Sequence, residues 1–346
     1  MSALPPLIEL VGTRWSLGAP LSAAAWAANG RRVAFALGDG TLAIASPSNS
    51  GPGAALHRGV AHGGACLALT AFGGADFLSG GDDGCVVRHS PNGAMEVLAR
   101  HPGLWIDHLV AGGQGRAAWA MGREIVIQGG IEEIRQTMAS GVTALAFSAA
   151  GDGLAVAGRG GADVWSARTG HFSRFSTPGY CRSLAWSADG RYLAAGLQEN
   201  AVMVWRLGDG QVIPLPGYPG QPRVLSFSHR RHQLVTTGGT RVVGWDLDLP
   251  RPESQRSEYG LESRVPLTVV AWHPARALVA AGYHNGAVVL YRPGANEPLF
   301  IKASGSGPVR ALVWAPDGSS LALGTEEGEV AVVAMPAEVL RMAQAA

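Results

Sequence analysis

The segment Val309 to Ala334 reads VRALVWAPDGSSLALGTEEGEVAVVA, and Cys181 to Leu207 reads CRSLAWSADGRYLAAGLQENAVMVWRL. Both alternate apolar and small or polar residues, and both place an Asp-Gly after the first run. Self-similarity of this kind constrains a chain more than composition does, because each copy must form the same supersecondary unit. In each copy a bulky residue ends the first run, a turn lies 13 or 14 residues on, and another strand ends five residues later. Anchored this way, the chain offers Trp26, Thr70, Leu109, Phe147, Trp186, Phe227, Trp272 and Trp314. Eight copies spaced at about forty residues cover nearly all of it. The copies at Thr70 and Leu109 are the weakest.

Each copy contains three short runs of period-two alternation, which predicts strands rather than helices. The stretch before the next anchor is long enough for a fourth. One four-stranded antiparallel meander is too small to stand alone. Arranged radially, each sheet buries both faces against its neighbours, which makes the expected fold an all-β, single β-propeller of about eight blades. The last copy ends at Ala334 without a fourth strand, and MPAEVLRMAQAA reads as a short helix. The N-terminus carries an orphan strand candidate over 8–17. It is expected to complete the last blade and close the ring, giving a propeller over 1–336 and a tail over 337–346.

Composition agrees with a large core and many turns: 47% hydrophobic, 15% charged, 49 glycines. Lys plus Arg number 27 against 26 Asp plus Glu, so no global charge favours nucleic acid or a membrane surface. The start lacks a basic, then apolar, secretory pattern. Three dispersed cysteines, Cys66, Cys85 and Cys181, suit a reducing compartment, and a cytoplasmic location is expected.

A bulky strand residue, Pro/Ala-Asp-Gly, a Leu-Ala-x-Gly-like strand, Asp-Gly and Val-x-x-Trp together resemble the WD-repeat β-propeller family. The Trp-Asp pair survives as Trp245-Asp246, while the same place reads Trp165-Ser166, Trp205-Arg206 and Tyr291-Arg292 elsewhere. Ala61-His62 and Arg100-His101 are the nearest matches to the family's Gly-His. The resemblance implies a scaffold for protein partners, allows seven blades as the alternative count, and leaves the family's buried His-Asp-Ser-Trp hydrogen-bond set mostly absent.

No phosphate-binding Gly-x-x-x-x-Gly-Lys-Ser/Thr, Gly-x-Ser-x-Gly, His-Glu-x-x-His or Cys-x-x-Cys pattern occurs. The expectation is therefore no enzyme and no cofactor. His62, Asp83, Cys85 and His89 fall in one copy. They are candidates for zinc, but His62 and Asp83 occupy the places of the family's structural hydrogen bond, which is the expected role. His229 and His232 lie in a bottom-face turn and are expected to be solvated. The polar insertion 248–264 is expected to hold the outer edge of the sixth blade and a surface loop.

Four residues before each anchor the chain enters the innermost strand from the face called the top. Those positions read Ser22, Cys66, Trp105, Thr143, Arg182, Arg223, Thr268 and Arg310, with Tyr180 and Arg264 just upstream of two of them. Arginine and aromatic side chains are enriched at binding hot spots. The top rim, carried by Arg182, Arg223, Arg310, Trp105, Tyr180 and Arg264, is thus the candidate site for an acidic protein segment. The acidic turns opposite, Asp82-Asp83 and Glu326-Glu327, argue against a nucleic-acid groove. The chain is expected to be a monomer or one subunit of a hetero-complex. The alternative is a small-molecule- or metal-binding propeller, itself an enzyme or accessory to one.

Overall fold

The computed structural model describes residues 5–47, 55–129, 132–260, 263–295 and 297–343. It is an all-β propeller. The alternation of the Val309–Ala334 segment shows why. Along the strand Ser320–Thr325, Leu321 and Leu323 face Ala280, Val288 and Leu290 of the preceding repeat. Ala322, between them, faces Phe35 and Leu37 of the first repeat. A period-two strand buried on both faces has no solvent side, so successive residues feed two different seams. The core is consequently a set of seams between sheets.

Innermost strands of successive repeats touch in order: Leu21–Trp26, Cys66–Phe72, His108–Ala111, Ala144–Phe147, the second half of Phe172–Trp186, Leu225–Phe227, Leu267–Trp272 and Val309–Trp314, the last touching the first. Hydrogen bonding, however, joins the strands into seven sheets, six of four strands and one of six. This corrects the expectation of eight separate four-stranded blades. The fourth and fifth repeats share the large sheet because two strands run on without a break. Gly153–Ser166 turns at Gly160 and Gly161, both in the left-handed region (φ 75° and 141°). Leu154 and Trp165, which a straight strand would hold roughly 35 Å apart, therefore pack into the same cluster with Ile125 and Ile127. Phe172–Trp186 pairs with that segment through Phe172–Ser176 and Tyr180, and with Tyr192–Leu197 from Cys181 onward.

At the chain ends, Gly12–Ser16 pairs antiparallel with Glu329–Ala334. Leu17 N–H donates to Gly328 O, and the Trp26 indole N–H donates to Val313 O at 3.0 Å. The strand expected over 8–17 is shorter than the sequence suggests, since Leu7–Val11 is helical. Pro6 starts that turn, and the helix turns Leu7 and Ile8 into the seam beside Met335, leaving Leu10 exposed. The tail segment Ala337–Met342 is a second helix, held by Arg292, which donates to Met342 O at 2.9 Å.

The turn glycines answer to the seams. Gly40 has φ 80°, and a Cβ there would overlap the Gly64 carbonyl of the next repeat. The 248–264 insertion forms a 3-10 turn, Pro252–Ser254, and the outer strand Ser257–Tyr259. Its residues 261 and 262 lie outside the described residues.

Candidate functional site

The top rim is shaped by bulges. In five repeats the pairing of the innermost strand skips one residue near its start, and that residue is Ser22, Leu67, Arg182, Thr268 or Arg310. A bulge leaves its extra residue unpaired and re-aims the side chain. Arg182 and Arg310 are therefore exposed, although their neighbours Cys181 and Val309 are fully buried. The second repeat requires a correction. Ala71, not Thr70, pairs with Phe77 as Trp26 pairs with Val33. Leu67 is the bulge residue there, and Cys66 is buried away from the rim, its thiol pushed up to about 12 by burial.

Arg182 donates through Nε to Gln198 Oε1 at 3.0 Å, and its guanidinium lies 5.5 Å from the centre of the Tyr180 ring. The Tyr180 backbone N–H in turn meets both Glu199 oxygens at 3.2 Å. The structure thus brings Arg182 and Tyr180 together. Arg310 is already paired with Glu326 at 2.9 Å, both half exposed. Arg223 donates to Gln221 at 3.0 Å and lines a shallow groove of about 570 Å³ with Pro219, Gly239 and Pro266. Trp105 lies before its strand, not on it, and is 64% exposed beside exposed Leu104. Arg264 is exposed between the sixth and seventh repeats.

The second repeat carries a buried proton-ordered chain. His62 Nδ1 meets Asp83 Oδ1 at 3.0 Å, His62 Nε2 meets Ser79 Oγ at 2.8 Å, and Ser79 Oγ meets His89 Nε2 at 2.7 Å. Asp83 also accepts the N–H groups of Gly63 and Cys85. A carboxylate acceptor requires the proton on His62 Nδ1. Ser79 must then donate to His62 Nε2 and accept from His89 Nε2–H. Burial, then the neighbouring His62, pushes the His89 imidazole down to about 4, so it is neutral at pH 7. Cys85 faces Arg100 at 3.3 Å instead of joining this chain. Among the described residues no group of three or more His, Cys, Asp or Glu side chains has metal-binding geometry. Serine with two imidazoles and a carboxylate resembles a nucleophilic arrangement, yet Ser79 is wholly buried, where no substrate reaches it.

Two arrangements were not legible in the sequence. In the sixth repeat Trp245 Nε1 and Thr236 Oγ1 both donate to the Tyr218 hydroxyl, at 2.7 and 2.9 Å. Thr236 and Trp245 stand where the second repeat has Ser79 and His89, and Tyr218 stands in for His62. On the bottom face His232, expected to be solvated, bridges two carboxylates, Asp189 at 2.7 Å and Asp248 at 2.5 Å. Partial burial opposes a charge on His232, but these two bonds win and its pKa is raised.

A WD domain, G-beta repeat model matches residues 167–206, and an anaphase-promoting complex subunit 4 WD40 domain model matches 269–343. Over these segments the β-propeller is similar to WD-repeat proteins. Its WD-repeat relatives include echinoderm microtubule-associated protein-like 2 of Mus musculus, 25% identical over 62% of this chain and 32% of that protein. WD repeat-containing protein slp1 of Schizosaccharomyces pombe is 26% identical over 46% and 32%. Small ribosomal subunit protein RACK1 of Caenorhabditis elegans is 27% identical over 33% and 37%. The chain thus spans about a third of the length of these relatives. The crystal structure of the computationally designed Ika8 protein superposes with TM-score 0.76 at 20% identity, over 92% of this chain and 98% of that one. The His62, Asp83 and Ser79 set is similar to the hydrogen-bond network that the WD-repeat resemblance implies, with His89 at the place of its Trp.

Proposed function

We propose that the chain is a non-catalytic scaffold whose top rim holds an acidic segment of a protein partner in the cytoplasm. The observation that carries this reading is Trp105, 64% exposed on the same rim as the exposed Arg182 and Arg223. A large apolar ring left in water beside guanidinium groups is what interface hot spots are made of. Arg310 contributes only by exchanging Glu326 for the partner's carboxylate. The relatives support an assembly role, since one is named a ribosomal subunit protein and another a microtubule-associated protein. We count the six-stranded sheet as two copies of the module, so the rim offers eight strand entries, and Gly12–Ser16 locks the ring. Removing residues 1–18 lowers the melting temperature well below that of the 337–346 deletion; equal values refute the lock.

The test is affinity capture from extract of the native cell. Arg182→Gln, Arg223→Gln and Arg310→Gln combined, and Trp105→Ala alone, abolish capture of the partner without moving the melting temperature. Trp105→Ala costs about 2 kcal/mol or more of binding. Undiminished capture by both variants rejects the top rim.

A further inference from the structure

The side chains of the top rim sort into arcs. Thr143 of the fourth repeat donates its hydroxyl to Cys181 O, and Thr268 of the seventh donates to Gly282 O at 3.1 Å. Arg310 of the eighth is paired with Glu326 at 2.9 Å. These three repeats turn their rim side chains back onto the protein. An apolar arc remains on the second and third repeats. It consists of the half-buried bulge residue Leu67, with Leu104 and Trp105, 45% and 64% exposed. Pro102 and Gly103 (φ 78°) fill a turn that Leu104 N–H closes by donating to His101 O at 3.1 Å, so the exposed pair is presented on a fixed backbone. A cationic arc, exposed Arg182 and Arg223, lies on the fifth and sixth repeats.

The two guanidinium groups of the cationic arc are held alike. Arg182 directs Nε and Nη2 at Gln198 Oε1, and Arg223 directs Nε and Nη2 at Gln221 Oε1. An amide carbonyl orients a guanidinium without cancelling its charge. The acid of that arc, Glu199, is spent, since both its oxygens meet Tyr180 N–H at 3.2 Å. The Nη1 end of each fork is thus prearranged for an incoming carboxylate, and little side-chain entropy is lost when one binds. The apolar arc has the opposite bias. Asp107, two residues after Trp105, has a side chain 49% exposed, and His108 Nε2 stays 3.9 Å from it, beyond hydrogen-bond reach. A carboxylate arriving beside Trp105 meets a like charge.

We propose that the top face takes a short protein segment of sorted chemistry: a large apolar side chain seated on Leu67, Leu104 and Trp105, and two carboxylates, set apart from it along the segment, on Arg182 and Arg223. This rests on the rim reading above and adds composition and orientation to it. The fourth repeat, whose Thr143 is closed on Cys181 O, separates the arcs, so the apolar residue and the carboxylates are not adjacent in sequence. Asp107 fixes the orientation by repelling the acidic end. A uniformly acidic segment places charge against Leu67 and Asp107, and a uniformly apolar one covers two guanidinium groups without pairing them.

Fluorescence anisotropy of labelled peptides with the full chain, at low ionic strength, tests this. The probes are a peptide with one Phe separated from two Glu by a Gly-Ser spacer of varied length, an isomer in which the two Glu flank the Phe, and the first peptide with Gln for Glu. At its best spacer length the first binds about tenfold tighter than either of the others. Arg182→Gln with Arg223→Gln removes its advantage over the Gln peptide. Trp105→Ala weakens it about fivefold or more with an unchanged melting temperature, and Leu67→Ser acts in the same direction. If Leu67→Ser lowers the melting temperature, Trp105→Ala alone decides the apolar arc. Asp107→Asn strengthens the isomer about threefold and leaves the first peptide within about twofold. Equal binding by the first peptide and its isomer, no binding by any probe, or an isomer that Asp107→Asn leaves unimproved overturns the proposal. Capture of a partner from extract that Arg182→Gln, Arg223→Gln and Arg310→Gln combined still abolishes would then leave the rim reading standing, so the two fail separately.

Discussion

The second and sixth repeats build the same buried junction from different side chains. In the second, Ser79 is suspended between two imidazoles, His62 and His89. In the sixth, the Tyr218 hydroxyl receives both Thr236 and Trp245. Position and geometry are shared, but only the imidazole junction can take up a proton in acid. Burial holds the Tyr218 phenol up to about 12 and the His89 imidazole down to about 4, so one cause, the cost of a buried charge, keeps both neutral at pH 7. The difference teaches that the module needs a linked donor and acceptor at this depth, and tolerates any side chains that supply them. It also makes the second repeat the acid-sensitive one.

The largest effect should come from removing the acceptor of the sixth repeat. Tyr218→Phe strands the Trp245 N–H and the Thr236 hydroxyl in buried surroundings and costs about 2–4 kcal/mol in urea unfolding at pH 7. A loss below about 1 kcal/mol would mean that the junction repacks and the comparison is only geometric. Next comes acid. The folded-state pKa of His89 is depressed from 6.5 to about 4, so the native protein binds fewer protons than the unfolded chain in that window, and stability falls as pH drops through it. At about 1.4 kcal/mol per pH unit, His89 accounts for about 2 kcal/mol of the loss between pH 6.5 and 5. His89→Phe should lose that much less over the same range. His273, also pushed down to about 4 by burial, contributes equally to both proteins and cancels. Identical pH profiles would remove His89 from the argument.

The seams sharpen the same lesson at smaller scale. Trp26→Phe leaves Val313 O without its indole donor and should cost about 1 kcal/mol, whereas Trp272→Phe, which removes a buried, unpartnered N–H, should cost less than about half of that. Equal losses would show that ring size, not the hydrogen bond, dominates. The smallest effect is at His232. Its raised pKa means that its pairing with Asp189 and Asp248 is fully present below about 6.5 and fades as pH rises through the folded-state value. Asp248→Asn should therefore cost under about 1 kcal/mol at pH 6, and less again at pH 9. A cost that grows with pH would contradict the bridge.

The module, its tandem copying and its strands were legible from alternation and from turns such as Gly40, because a strand buried on both faces and a left-handed turn each restrict residue type locally. The network at His62 and Asp83 was legible for the same reason, as residues at fixed offsets within one copy. Thr70 misled by one position because the turn after that strand is one residue shorter, Ala71 pairing with Phe77 where Trp26 pairs with Val33, and period-two patterns carry no mark of a missing turn residue. Leu7–Val11 misled because LIELV suits a strand and a helix alike, and only its place beside Met335 decides. Tyr218 was illegible because a phenol stands where the pattern asks for a histidine, and His232 and the stranded Trp272 because Asp189 and the acceptor that Trp272 lacks belong to the preceding repeat.

The sequence by itself determined the repeating strand unit, its turns and the apolar faces that force the units together, all consequences of contacts within some forty residues. Only the tertiary structure decided that the fourth and fifth units share a sheet, that the chain ends meet through Trp26 and Val313, and which buried N–H goes unmatched. Those outcomes depend on how one unit's backbone is set against the next, and a distance across a seam is written in no single stretch of chain.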